Sequence, residues 1–168
     1  MFHLYRNEKA APSVQWITDA IPILSDSRAL QMLSRPDFDP HQQAVLHDDS
    51  AELKPSGSGT FRCDTIHRKT NSASYSMYTD QDGYLVFSEI FYPGWRVRVD
   101  QEDVPILRAN FMFSAVPLKS GAHLVERFYS PRSLRIGFII SMISGVVLVL
   151  QIFFFGRHSK RTQHLHQM

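Results

Sequence analysis

The run IGFIISMISGVVLVLQIFFF, residues 136–155, is the strongest constraint on what this chain can be. Its twenty residues carry no charge and one strongly polar side chain, Gln151. At about 1.5 Å of rise per residue they match a hydrocarbon core of roughly 30 Å, so the run is predicted to be a transmembrane helix. The competing reading, a buried core helix, needs a larger protein around it than 168 residues provide. Ser130 and Pro131 supply an N-cap and a proline at the first helical position. Arg157, Lys160 and Arg161 follow the run as a juxtamembrane anchor, each charge drawn to anionic headgroups by about 1 kcal/mol. Lys119, Arg127, Arg132 and Arg135 lie on the other side, so the positive-inside count does not choose an orientation.

The remaining length suits one domain with a core. A net charge of +2, with Lys and Arg spread among Asp and Glu, lacks the clustered basic face that nucleic acid requires. Cys63 is the only cysteine, which excludes an internal disulfide and argues against a cysteine zinc site. The opening MFHLYRNEKAAPSVQW has no apolar h-region and does not read as a secretory signal. A folded part outside the cytoplasm would therefore need something else to carry it there.

From about Ala44 the chain turns to strand signals. AVLHD, TFRCDTIHR, SASYSMYT, GYLVFSEI, WRVRVD, VPILR, NFMFSAVPL and AHLVERFY are β-like runs, divided by the turn chemistry of SGSG, TN, DQDG, YPG, QED and KSG. Alternation puts Trp95, Val97 and Val99 on one face of a strand and Arg96 and Arg98 on the other. PLKSGAH reads as a tight hairpin with Gly121 at a positive-φ position. FYPGW, residues 91–95, reads as a corner between two strands, because proline lacks the ladder donor and glycine admits the bend. Upstream, HLYRN and SVQWI are short extended pieces. SDSRALQMLSR is a helix with Ser25 or Asp26 as N-cap and Ala29, Leu30, Met32 and Leu33 around one face. The expected fold is mainly β: an antiparallel β-sandwich or jelly-roll-like domain with a short N-terminal helix, followed by one C-terminal transmembrane helix. The expected divisions are an extended and helical cap over 1–43, the sandwich core over 44–130, the membrane helix over 131–156 and a basic cytoplasmic tail over 157–168.

GYLVFSEIFYPGWRVRVD, VPILRANFMFSAVPLKSGAH and FYSPRSLRIG together resemble the C-terminal part of the YfhO family of bacterial polytopic membrane proteins, and LYRNEKAAP and DFDP look like segments of the same family. The resemblance implies a C-class glycosyltransferase architecture, with many upstream membrane helices, an extracytoplasmic β-rich domain and a closing helix that returns to the cytoplasm. Such enzymes take sugar from a polyprenyl-phosphate carrier and add it to a cell-envelope polymer; lipoteichoic acid glycosylation is the family's known association. Their catalytic acid sits in a first extracytoplasmic loop, which this chain lacks. It therefore reads as the C-terminal piece of a longer protein or a truncated paralogue, without catalysis of its own. DQED, residues 100–103, stands where the family has Asp-Gly, so a longer turn is expected there.

Trp95 is a candidate for stacking on a sugar ring, with Tyr92 and Phe91 beside it; the competing reading places Trp95 in the core. Arg108 and Asn110 are candidates for holding a phosphate or sugar, against a role for Asn110 in satisfying turn backbone. Asp80, Asp82, Glu89, Asp100, Glu102 and Asp103 read as turn and surface residues. His164 and His166 read as part of a basic tail and not as metal ligands. No Ser/His/Asp, phosphate-loop or metal-ligand pattern appears, so no catalytic residue, metal or cofactor is assigned. The expected partners are the lipid bilayer, upstream membrane helices of the same or a neighbouring polypeptide, and an envelope glycan or polyprenyl-linked sugar. A stand-alone membrane-anchored carbohydrate-binding or scaffold protein is the alternative, and an inert gene remnant a third reading.

Overall fold

The computed structural model describes Tyr5, residues 12–48 and residues 59–163, with side chains as far as Phe153. The chain divides into two compact units, Met1–Tyr129 and Ser130–Met168.

The first unit is a two-sheet β-sandwich. Its described strands in chain order are β1 (Val14–Ile17), β2 (Asp19–Pro22), β3 (Gln43–Leu46), β4 (Phe61–Lys69), β5 (Ser72–Thr79), β6 (Gly83–Ile90), β7 (Trp95–Val99), β8 (Glu102–Val104), β9 (Leu107–Ala109), β10 (Phe113–Leu118) and β11 (Gly121–Tyr129). One sheet runs β1-β6-β10-β9-β3-β2 and the other β4-β5-β11-β7-β8. All pairings are antiparallel except β2 with β3, which is parallel. Helix α1 (Asp26–Leu33) joins that parallel pair, as a parallel connection needs a crossover.

The core lies between the sheets. Leu85 and Phe87 of β6 and Val116 and Leu118 of β10 meet Tyr75 and Met77 of β5, Val97 of β7 and Val125 of β11. On the far face of the six-stranded sheet, Tyr84 and Val86 join Ile17, Ala44, Leu46, Ala109 and Ala115 in a second apolar cluster. Strand β6 is thus buried on both faces. That is why GYLVF is a continuous apolar run where a half-buried strand would alternate. Full burial of Phe87 alone is worth about 2–3 kcal/mol.

Several expectations need correction. The 1–43 segment supplies two strands of the six-stranded sheet besides its helix, because Val14–Ile17 pairs with Tyr84–Phe87. VPILR divides into β8 and β9, which belong to different sheets. PLKSGAH is not a hairpin within one sheet: β10 and β11 lie in opposite sheets, and Lys119-Ser120 crosses between them. Gly121 does hold the expected positive φ, 139°. The β7–β8 turn is not lengthened; Asp100 and Gln101 alone close it, at φ 52° and 73°. Helix α1 starts after Ser25, whose side chain makes no capping bond, and within the helix Ala29 alone is buried.

The second unit is helix α2 (Arg132–Gln163), which extends past residue 156. Its Arg132–Phe153 part has a mean hydropathy of 2.5 and no burial, and is the one described helix long and apolar enough to cross a membrane. Arg135 donates to the Ser130 hydroxyl at 3.1 Å, so Ser130 holds the first turn through a side chain of that turn. Arg157, Lys160 and Arg161 lie on this helix, but their side chains are outside the described residues, as are His164 and His166 altogether.

Candidate functional site

FYPGW is the point at which the chain leaves one sheet for the other, from β6 to β7. Gly94 takes φ 108° there, and the Trp95 N–H donates to the Tyr92 carbonyl at 3.4 Å, which closes the bend. Two clefts open beside this corner. One, of about 410 Å³, is lined among others by Tyr92, Trp95, Arg96, Asp103, Ile106 and Arg127. The other, of about 500 Å³, is lined by Asn71, Ser88, Glu89, Ile90, Tyr92, Trp95 and Tyr129. Ile90, Tyr92 and Trp95 are common to both.

Trp95 faces inward on β7, as the alternation with Val97 predicts, but at the open end of the sandwich, so it is half-buried. Tyr129 of β11 sits opposite it in register, with ring centroids 5.3 Å apart. Arg127, also on β11, is the residue that sequence reasoning missed. Its side chain is 3 % exposed, and its guanidinium lies 4.0 Å from the Trp95 ring centroid and 5.1 Å from that of Phe87. It donates to the Glu89 carboxylate through Nη1, while Nε and Nη2 are buried without a hydrogen-bond partner among the described residues. Buried N–H groups of this kind are costly unless an acceptor meets them. The signal was present in the sequence: Val125, Arg127 and Tyr129 share one face of a strand by period two, which turns Arg127 inward.

The remaining charges that line the first cleft, Arg96 and Asp103, pair with each other. Asp103 accepts from Arg96 at 2.5 Å and from Arg98 at 3.1 Å, and both guanidinium groups stack over Phe128. With Arg127 paired to Glu89, the arrangement offers aromatic faces and hydrogen-bond donors with little net charge. That combination suits a neutral, hydroxyl-rich ring.

Arg108 and Asn110 are not part of it. Arg108 donates to Asp26 of α1, meets His47 Nδ1 at 3.2 Å and stacks 5.5 Å from Phe111, tying the helix to β9. Burial pushes the His47 imidazole below its ordinary pKa, the Arg108 guanidinium adds to this, and Asp26 opposes it. Asn110, at φ 46°, accepts the Val45 N–H through its side chain at 2.9 Å and donates its own N–H to the Val45 carbonyl at 2.8 Å. It therefore satisfies strand backbone.

Three of the acidic residues act as turn anchors. Asp80 accepts the Thr60 N–H, Asp82 the Ser120 N–H and Asp100 the Leu124 N–H, each at 2.8 Å. Among the described residues no group of three His, Cys, Asp or Glu side chains is placed to hold a metal.

A β-sandwich followed by a helix of membrane length defines a class, the membrane-anchored β-sandwich protein. Within it, residues 60–141 match the family described as "Bacterial membrane protein YfhO", and this part of the chain, from β4 into the first turns of α2, is a YfhO-family region. The matched stretch contains the corner, the RANFMF turn and YSPRSLRIG, while LYRNEKAAP and DFDP fall outside it. A relative from Bacillus subtilis (strain 168), "Uncharacterized protein YfhO", is 24 % identical over 98 residues, which make up 58 % of this chain and 11 % of that protein. No solved structure matches.

Proposed function

We propose that this chain is the C-terminal accessory part of a YfhO-type membrane glycosyltransferase, with a β-sandwich on the outer side that holds a sugar of the acceptor polymer and a helix that completes the membrane core. The observation that carries the reading is the cleft at the FYPGW corner, where Trp95 and exposed Tyr92 flank Arg127, whose two unpartnered N–H-bearing nitrogens call for acceptor oxygens. Upstream membrane helices of the same or a neighbouring polypeptide supply the catalytic acid and the polyprenyl-phosphate sugar, and this unit performs no transfer itself.

The test uses the full chain in lipid nanodiscs, titrated with neutral monosaccharides, disaccharides and purified lipoteichoic acid while tryptophan fluorescence is followed. Trp95→Ala and Tyr92→Ala should each weaken saccharide binding at least several-fold with an unchanged circular dichroism spectrum. Arg108→Ala should leave it intact. Absence of any saccharide binding by the wild-type chain would refute the glycan reading. Sugar transfer from a polyprenyl-phosphate donor by this chain alone would refute the accessory one.

A further inference from the structure

We propose that the β6–β7 corner is a lipid-contacting surface, with Ile90, Phe91, Tyr92 and Met112 seated in the headgroup layer of the bilayer that α2 crosses. The inference rests on reading α2 as a membrane span and shares Ile90 and Tyr92 with the cleft of the glycan reading.

Covalent reach limits how far the corner can lie from the start of α2. Strand β11 ends at Tyr129, and two residues, Ser130 and Pro131, join it to Arg132, where the membrane-length segment begins. Three peptide steps of about 3.8 Å hold the Tyr129 and Arg132 Cα atoms within about 11 Å of each other, whatever the angle between the two units. Trp95 is the register partner of Tyr129, so the two Cα atoms are about 5 Å apart. Tyr92 lies one tight turn from Trp95. The opposite end of β11, at Gly121, is eight residues away along the strand, about 27 Å. One end of the sandwich is thus tethered at the membrane surface.

The tethered end is also rich in exposed apolar side chains. At the tethered end Ile90 is 63 % exposed, Tyr92 60 %, Met112 47 % and Phe91 40 %. Ile90, Phe91 and Tyr92 are consecutive in the chain, and the Phe91 N–H donates to the Met112 carbonyl at 2.7 Å, so Met112 is their neighbour. Such residues at a loop tip are costly in water and suited to the interface, where aromatic rings with a polar edge concentrate. Arg68 and Lys69 precede the Thr70-Asn71 turn at this same end, where the Asn71 carbonyl accepts the Tyr129 N–H. With Arg132 and Arg135 they supply positive charge toward anionic headgroups. The far end instead carries Asp80, Gln81, Asp82, Lys119 and Ser120 at its turns, beside an exposed Tyr78 on β5. The lipid surface is therefore the occupant that both the tether and the composition fit.

The experiment uses the full chain carrying Cys63→Ser and one new cysteine, labelled with an environment-sensitive nitrobenzoxadiazole probe, in nanodiscs of phosphatidylcholine and phosphatidylglycerol. Tyr92→Cys and, separately, Phe91→Cys should give blue-shifted emission and several-fold stronger quenching by nitroxide-bearing lipids than Asp82→Cys at the far end. Val147→Cys within α2 reports the span itself. Quenching at Val147 with Tyr92 and Phe91 no different from Asp82 would overturn the proposal and leave the span intact. No quenching at Val147 would remove the span and the proposal with it, and saccharide binding is read separately on the unlabelled wild-type chain.

Discussion

The Arg127 guanidinium lies over the face of Trp95 at 4.0 Å from the ring centroid, at the end of the sandwich where the chain crosses from one sheet to the other. Arg127 is buried, but its partner Glu89 is 38 % exposed, so the carboxylate left behind by a neutral replacement is rehydrated in place. Arg127→Met should therefore cost about 2 kcal/mol, the scale of a charge-assisted hydrogen bond, and less than loss of a fully buried ion pair. Urea unfolding of the full chain in detergent gives the value. A double-mutant cycle with Trp95→Leu should show a coupling of about 1 kcal/mol from the lost cation–π contact, and simple additivity would contradict it.

Gln101 sits at φ 73° in a two-residue turn whose first residue, Asp100, is at φ 52°. Both positions of such a turn favour residues that tolerate the left-handed region, and glycine is the usual second residue. Gln101→Gly should stabilise the domain by up to about 1 kcal/mol, the cost of holding a side chain at positive φ outweighing the added freedom of the unfolded chain. Thermal melts of the two proteins side by side test this, and a lower midpoint for the glycine variant would show that the Gln101 side chain has a role of its own.

That turn also shows where sequence legibility ends. Strand positions were readable because alternation is a local property: Trp95, Val97 and Val99 against Arg96 and Arg98 needed no partner to be recognised. What was not readable was the assignment of strands to sheets. Lys119-Ser120 has the length and chemistry of a hairpin turn, yet it crosses the sandwich, because the ladder partners of β11 are β5 and β7, tens of residues away. SVQWI read as a short extended piece, and its place in a sheet emerged when β6 supplied its pairing. The candidate site was half legible for the same reason. Tyr92 and Trp95 are neighbours in sequence, whereas Arg127 and Glu89 reach the corner through pairing alone. Arg108 and Asn110, conspicuous in RANFMF, were drawn into fastening β9 to α1 and β3.

The Asp100 carboxylate accepts the Leu124 N–H at 2.8 Å and faces His123 Nδ1 at 2.6 Å. The backbone bond first, and then the His123 bond, hold its pKa below the ordinary carboxylate value. A carboxyl whose folded pKa lies below its unfolded value, about 3.9, contributes stability that is fully present above that value and lost as pH falls through the folded pKa. The wild-type domain should therefore lose stability on acidification below about pH 4 more steeply than Asp100→Asn, which keeps an acceptor oxygen for Leu124 but does not titrate. Parallel acid limbs in the two stability curves would assign the acid sensitivity to other groups.

Gly83 opens β6 where β1 crosses closest. A Cβ placed there would stand 2.5 Å from Cζ2 of Trp16 and 2.8 Å from the carbonyl oxygen of Ile17. The first contact belongs to a side chain held by stacking on Phe61, with ring centroids 5.9 Å apart and planes within 10°, and the second to the backbone of a paired strand. Neither neighbour yields without moving β1, so Gly83→Ala should destabilise the domain by about 1–3 kcal/mol, although alanine is otherwise the better residue in a strand. The two contacts can be separated. In a Trp16→Leu background the ring clash is gone and the carbonyl clash remains, so Gly83→Ala should cost measurably less there than in the wild type, yet more than zero. Equal costs in both backgrounds would place the whole penalty on the Ile17 carbonyl, and a cost of zero in the Trp16→Leu background would place it all on the ring; denaturant midpoints for the four proteins decide among these outcomes.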